Sequence, residues 1–200
     1  SADSAVARSF GRFRLLALVG KSQRSMAWRV HDSQGVHDAQ EYFLSLPRVQ
    51  PADGDAMQRW DLAVRRASRL KHPNLATPVE IGVCERWPYV LYDAAGCITL
   101  DERLQGGKAI GVNEACALLV GMLQGLAFAH EGGVAHRDLQ PYMVLLGEPG
   151  VVRLLGLELG LHAERAQRVG ATVVVDALGD ADERMPGRRG AADERHAFAA

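Results

Sequence analysis

His136-Arg137-Asp138-Leu139-Gln140-Pro141-Tyr142-Met143-Val144-Leu145-Leu146 places three polar residues directly ahead of an apolar run. It follows the apolar stretch Ala115 to Ala129, which Asn113 is expected to cap as a helix and Gly132-Gly133 to end. That helix carries Leu119, Met122, Leu123 and Leu126 on one side. The stretch is interrupted by Gln124 and shorter than the roughly 18 residues a membrane span needs, so it reads as a core helix. Before it, Thr99-Leu-Asp-Glu102 has the form of a capping box that starts a short helix at Leu100.

Further towards the N-terminus the period changes. From Phe10 to about Leu46 short apolar runs (Arg14 to Val19, Met26 to Val30, Glu41 to Leu46) alternate with glycine and polar turns, which predicts an antiparallel sheet. From Ala56 to Lys71 the residues Trp60, Val64, Ala67 and Leu70 recur at helical spacing. Arg59, Arg65, Arg66 and Arg69 occupy other positions and read as a solvated face rather than a binding patch. His72-Pro73-Asn74 stops this helix, because proline restricts its predecessor and donates no backbone hydrogen bond. Two more strands are expected at Val79 to Val83 and Tyr89 to Tyr92.

The 200 residues, 48% hydrophobic with a formal net charge of -1, suit one globular domain with or without a tail. A nearly neutral balance gives no basis for nucleic-acid or membrane contact, so neither is expected from this segment. Cys84, Cys97 and Cys116 form no CxxC pair, and as buried thiols they suit a reducing, cytoplasmic setting. Residues 163–200 are rich in Ala, Gly, Arg, Asp and Glu, and outside Ala171 to Leu178 they lack a strong apolar period.

The opening stretch resembles the H-R-D-L-x-x-x-N catalytic loop of eukaryotic-type (Hanks-type) Ser/Thr protein kinases. Gly11-Arg-Phe-Arg-Leu-Leu with Gly20 resembles that family's first strand and phosphate loop. Arg69-Leu-Lys-His-Pro-Asn-Leu75 resembles the end of its N-lobe helix. Pro88-Tyr-Val-Leu-Tyr-Asp93 resembles the strand into the hinge, and Val151 to Glu158 the strand that carries Asp-Phe-Gly. The likeness covers about Phe10 to Leu161. It implies an α+β, bilobal fold with an N-lobe at 10–95, part of a truncated C-lobe at 96–162 and an activation-segment-like or irregular tail at 163–200. Residues 1–9 are expected to be an N-terminal extension or vector-derived.

Phosphoryl transfer in this family rests on a lysine held by a glutamate and on two Mg²⁺ held by an Asp and an Asn. Alignment puts Leu44 at the lysine, Ala63 at its glutamate partner, Met143 at the metal-binding Asn and Gly156 at the metal-binding Asp. Gly20 keeps the first phosphate-loop glycine, while Ser22 and Ser25 replace the other two and bring Cβ atoms near the backbone. Tyr42 stands where an alanine roofs the adenine, with its ring in the base's volume, and Ala27 is at the other roof position. Gln140 replaces the loop lysine. His136 and Leu157 take packing positions that would stack with Ala67. A triphosphate carries about four negative charges, so without lysine or metal its binding in a partly desolvated cleft is expected to be weak or absent.

The resemblance therefore implies a catalytically inactive, pseudokinase-like scaffold in signalling, with a protein partner or a second copy covering the apolar surface left by missing C-lobe helices. No cofactor or metal is expected. Weak ATP and Mg²⁺ binding would require Lys21, Arg24 or Glu158 to compensate for the lost groups. Asp138 holds the family's base position, either as a vestige that accepts hydrogen bonds within its own loop or as the base of a residual Ser/Thr kinase. A third reading is a regulatory pocket for another ligand. Thr172 occupies the region of an activation-loop phosphosite.

Overall fold

The computed structural model describes residues 8–37, 41–107, 109–147 and 150–158. Thr172, the apolar run Ala171 to Leu178 and the tail at 163–200 lie outside the described residues.

The N-terminal lobe contains β1 (Ser9–Phe10), β2 (Phe13–Lys21), β3 (Ser25–Asp32), β4 (Tyr42–Pro47), helix α1 (Gly54–Ser68), β5 (Pro78–Cys84) and β6 (Trp87–Asp93). The strands pair antiparallel in the order β1-β2-β3-β4-β6-β5, so the predicted sheet is present and α1 is the crossover that lets β6 pair with β4. Both sheet faces are covered around β4. Tyr42, Leu44 and Leu46 pack with Phe13, Val30, Tyr89 and Leu91, and the alternate residue Phe43 packs with Ala27, Trp60, Val64 and Tyr92. Asp53 caps α1 by accepting from Ala56 N at 2.7 Å.

The second lobe begins with β7 (Ile98–Thr99) and α2 (Leu100–Gln105), followed by α3 (Val112–Glu131), a 3-10 turn at Pro141–Met143, β8 (Val144–Leu146) and β9 (Val152–Leu154). The predicted capping box is formed: Glu102 N donates to Thr99 Oγ1 at 3.1 Å, and Thr99 N donates to Glu102 Oε2 at 2.6 Å. Two expectations about α3 are corrected. Its N-cap is Gly111, without a side-chain bond, and Asn113 lies inside the helix. Its buried side is Leu118, Gly121, Gly125 and Ala129, whereas Leu119 and Leu123 are 55% and 63% exposed. A helix apolar nearly all round does not reveal its inner face by period; close approach at its glycines decides it.

With 20 residues and a mean hydropathy of 1.5, α3 meets the length and composition requirement for a membrane span that the shorter apolar stretch did not. Its glycine side is occupied by protein. A Cβ on Gly121 would meet Val152 Cγ1 at 2.3 Å, and one on Gly125 would meet the Asn74 carbonyl oxygen at 2.8 Å.

Asn74 is the seam between the lobes. Helix α1 ends at Ser68 with Arg69 as its C-cap, before the predicted stop at His72-Pro73-Asn74, and that turn instead holds β9: Asn74 Nδ2 donates to Val152 O at 2.8 Å, Leu154 N donates to Asn74 O at 2.9 Å and Ala76 N donates to Leu154 O at 2.9 Å. Gly125→Ala should therefore destabilise the fold by about 1–3 kcal/mol despite alanine's higher helix propensity, because backbone must move. Gly106→Ala, whose Cβ would have ordinary contacts at 3.5 Å, is the control, and urea melts compare the two.

Candidate functional site

The β2–β3 turn lies against the loop that carries Asp138. Ser22 N donates to Ser25 O at 2.8 Å, and Ser22 Oγ accepts from the N–H groups of Arg24 and Ser25, each at 3.0 Å. The same hydroxyl donates to Asp138 Oδ2 at 2.6 Å, the short distance of a hydrogen bond to a charged acceptor. Ser25 Oγ and Tyr142 Oη share a hydrogen bond at 2.9 Å. Beneath this turn lies the Tyr142 ring, so close that a Cβ on Gly20 would meet it at 2.3 Å. Tyr142 is buried, which together with the Asp138 charge outweighs the serine hydrogen bonds and pushes its phenol above the usual range.

Tyr142 belongs to one buried cluster drawn from both lobes. Ala27 and Phe43 of the sheet, Trp60 and Val64 of α1, and Tyr92 of β6 join Tyr142, Met143, Leu145 and Leu155 of the second lobe without a break. Met143 and Leu155 are also tied through backbone, Leu155 N donating to Met143 O at 2.9 Å.

The alternation of β4 corrects two expected positions, Tyr42 as the roof residue and Leu44 at the lysine position. Tyr42 and Leu44 are both fully enclosed in the cluster on the other sheet face, and the side chains turned to the inter-lobe cluster are Phe43 and Ser45. A one-residue offset in a strand exchanges its faces, which a motif count cannot detect when both faces are apolar.

Behind Tyr142 a second polar contact joins the lobes. Glu158 is buried, accepts from Tyr92 Oη at 2.8 Å, and accepts from Ser45 Oγ at 3.2 Å. Burial pushes its carboxyl above the ordinary range against those hydrogen bonds, and burial plus Glu158 pushes the Tyr92 phenol up strongly. This carboxyl, expected as a compensating metal ligand, is committed to Ser45 and Tyr92.

Among the other predicted positions, Ala63 is buried on α1, Met143 is buried in the cluster, and Gly156 has φ +83, in the region that favours glycine. Lys21 is exposed, and Arg24 Nη1 is enclosed with no hydrogen-bond partner among the described residues. Gln140 Nε2 donates to Asp138 Oδ1 at 3.4 Å, so Asp138 accepts from side chains of both lobes. His136 is buried and hydrogen-bonded through Nε2 to Leu155 O at 2.6 Å, and burial pushes its imidazole towards the neutral form. Leu157 and Ala67 share a cluster, as expected of packing positions. Among the described residues there is no group of three or more His, Cys, Asp or Glu placed to hold a metal ion.

No protein-family model matches the chain. Its curated relatives include sperm motility kinase Z of Mus musculus, 29% identical over 100 residues, covering 50% of this chain and 20% of the relative. The serine/threonine-protein kinase PrkC of Bacillus subtilis is 22% identical over 148 residues, covering 74% of this chain and 22% of the relative. The chain thus spans about a fifth of the length of these relatives. The kinase domain of Mycobacterium tuberculosis PknI superposes with a TM-score of 0.58 at 20% identity, covering 78% of this chain and 61% of that one. This chain is a Hanks-type protein-kinase relative. Its fold is the α+β, bilobal protein-kinase fold.

In this kinase-like domain the residues that sequence reasoning missed are Tyr142, Phe43, Tyr92 and Ser45. Tyr142 had a visible signal, four residues after Asp138 and beside Met143, both bulky where the loop passes under Gly20. Ser45 and Tyr92 had none, since only the fold brings them to Glu158.

A raised carboxyl contributes stability that is fully present below its unfolded pKa and is lost as pH rises through its folded one. Glu158→Gln should therefore be more stable than the parent near neutral pH. The difference should shrink towards about pH 4, where both side chains are uncharged. Thermal melts across that range check this.

Proposed function

We propose that this kinase-like domain is catalytically inactive and serves as a protein-binding or regulatory scaffold in signalling. The observation that carries this reading is the Tyr142 ring under Gly20, within a buried cluster that runs through the inter-lobe space. A nucleotide would have to displace an aromatic side chain and break the bonds of Ser22 and Ser25. On β4 it would then meet Phe43 and Ser45, and beyond them Ala63, Met143 and Gly156, uncharged residues at positions where the kinase resemblance implies charge and metal ligands. Uncompensated charge in such a space costs several kcal/mol, and electrostatic stabilisation is usually the largest part of the rate enhancement. Lys21 or Arg24 would have to supply any compensation.

The side of α3 with Val112, Leu119, Val120 and Leu123 exposed supports a protein partner or self-association, and we infer no nucleic-acid or membrane contact from this segment. Three free cysteines accord with a cytoplasmic location, although of the three expected to be buried only Cys97 is, Cys84 being half-buried and Cys116 exposed. A second reading, a residual ATP-dependent Ser/Thr kinase, draws on one observation: Asp138 already accepts from a hydroxyl, that of Ser22, as a base would from its acceptor substrate.

Thermal unfolding with ATP, alone and with Mg²⁺ or Mn²⁺, distinguishes the two. The scaffold reading expects no shift. A nucleotide that bound at 100 times its Kd would stabilise by about 2.7 kcal/mol, and a metal-dependent rise of that order would overturn the reading.

A further inference from the structure

The filled cleft is ringed by polar bridges that join the lobes on three sides. At the β2–β3 turn, Ser22 donates to Asp138 at 2.6 Å and Ser25 shares a hydrogen bond with Tyr142 at 2.9 Å. On the opposite side of the cluster, Glu158 accepts from Ser45 at 3.2 Å and from Tyr92 at 2.8 Å. The third bridge is made by Arg29 of β3. Its Nη2 donates to both carboxylate oxygens of Glu102 on α2, at 3.2 and 3.3 Å, and to Cys97 O at 3.3 Å. Its Nη1 donates to Glu41 Oε2 at 3.0 Å, and its guanidinium carbon lies 4.7 Å above the Phe43 ring.

Arg29 differs from an ordinary surface ion pair. Its side chain is 16% exposed, and it is held by three chain segments and one ring face. Glu102 is fixed as well, because its carboxylate closes the Thr99 capping box; the bonds from Thr99 and Arg29 lower its pKa against the effect of burial. A planar, five-donor guanidinium suits such a junction, and lysine would not reproduce it.

We propose that these three bridges lock the two lobes into one fixed relation, so that the domain presents a single rigid surface spanning both lobes instead of opening and closing about its hinge. The bridges differ in chemistry: a short hydroxyl–carboxylate contact, a part-exposed ion pair and a buried carboxyl bonded to two hydroxyls. No single change of salt or pH releases all three. The lock goes beyond the scaffold reading and does not depend on it, because a locked domain could still hold or lack nucleotide.

Distance measurement between spin labels tests the lock. One label goes on the native, exposed Cys116 of α3 and the other on Val49→Cys, an exposed site after β4, in a full-length Cys84→Ala background; Cys97 stays buried. The expected parent result is one narrow distance peak that ATP and Mg²⁺ leave in place. The Ser22→Ala, Glu102→Gln double variant should broaden that peak or add a longer one. Glutamine keeps the capping box and removes the charge that holds Arg29. A broad or two-peaked parent distribution overturns the lock whatever the variants do. So does a double variant that melts cooperatively yet keeps the parental peak width. Should that variant fail to fold, Glu102→Gln alone is read by the same criterion.

Discussion

The placement of the Tyr142 ring against the Gly20 backbone is the constraint on which the rest of the site depends. An aromatic side chain buries a large area, and here it does so between a turn of the sheet lobe and a loop of the helical lobe. Gly20 is required for this contact, since any Cβ there would overlap the ring. The glycine lets the backbone lie directly on the tyrosine ring. The hydroxyls of Ser22 and Ser25 then bond Asp138 and Tyr142.

The pattern extends through the cleft. Phe43 and Ser45 face inward from β4, Met143 packs in the same cluster, and Glu158 turns its carboxyl to Ser45 and Tyr92. The groups that line the inter-lobe space are met by packing and by hydrogen bonds within the chain. Buried polar groups are costly unless paired, and Glu158 meets that condition with two hydroxyl donors and a pKa displaced towards the neutral form. Arg24 Nη1, His31 Nδ1 and His136 Nδ1 are counter-examples, each enclosed without a hydrogen-bond partner among the described residues.

Most of the strand and helix plan was legible because it depends on local chemistry. Alternating apolar residues marked the sheet and Thr99 with Glu102 capped α2, while α1, expected to run to His72-Pro73, ends at Ser68. The errors fell where local chemistry is ambiguous. Asn113 was a reasonable cap, but the chain enters α3 at Gly111; Leu119 and Leu123 fitted a core face, but Gly121 and Gly125 allow closer packing. Tyr42 was placed over the nucleotide site by counting along β4, and the pleat turns it to the other face.

By itself the sequence determined the family likeness, because that is a matter of residue identity along a spaced motif around His136, Arg137 and Asp138. Only the tertiary structure decided what occupies the cleft and what Asp138 and Glu158 touch. Ser22 and Asp138 are 116 residues apart, and Ser45 and Glu158 are 113 apart. No local pattern encodes such pairs; they exist because Asn74 joins β9 to the turn after α1 and brings the two lobes together over one core.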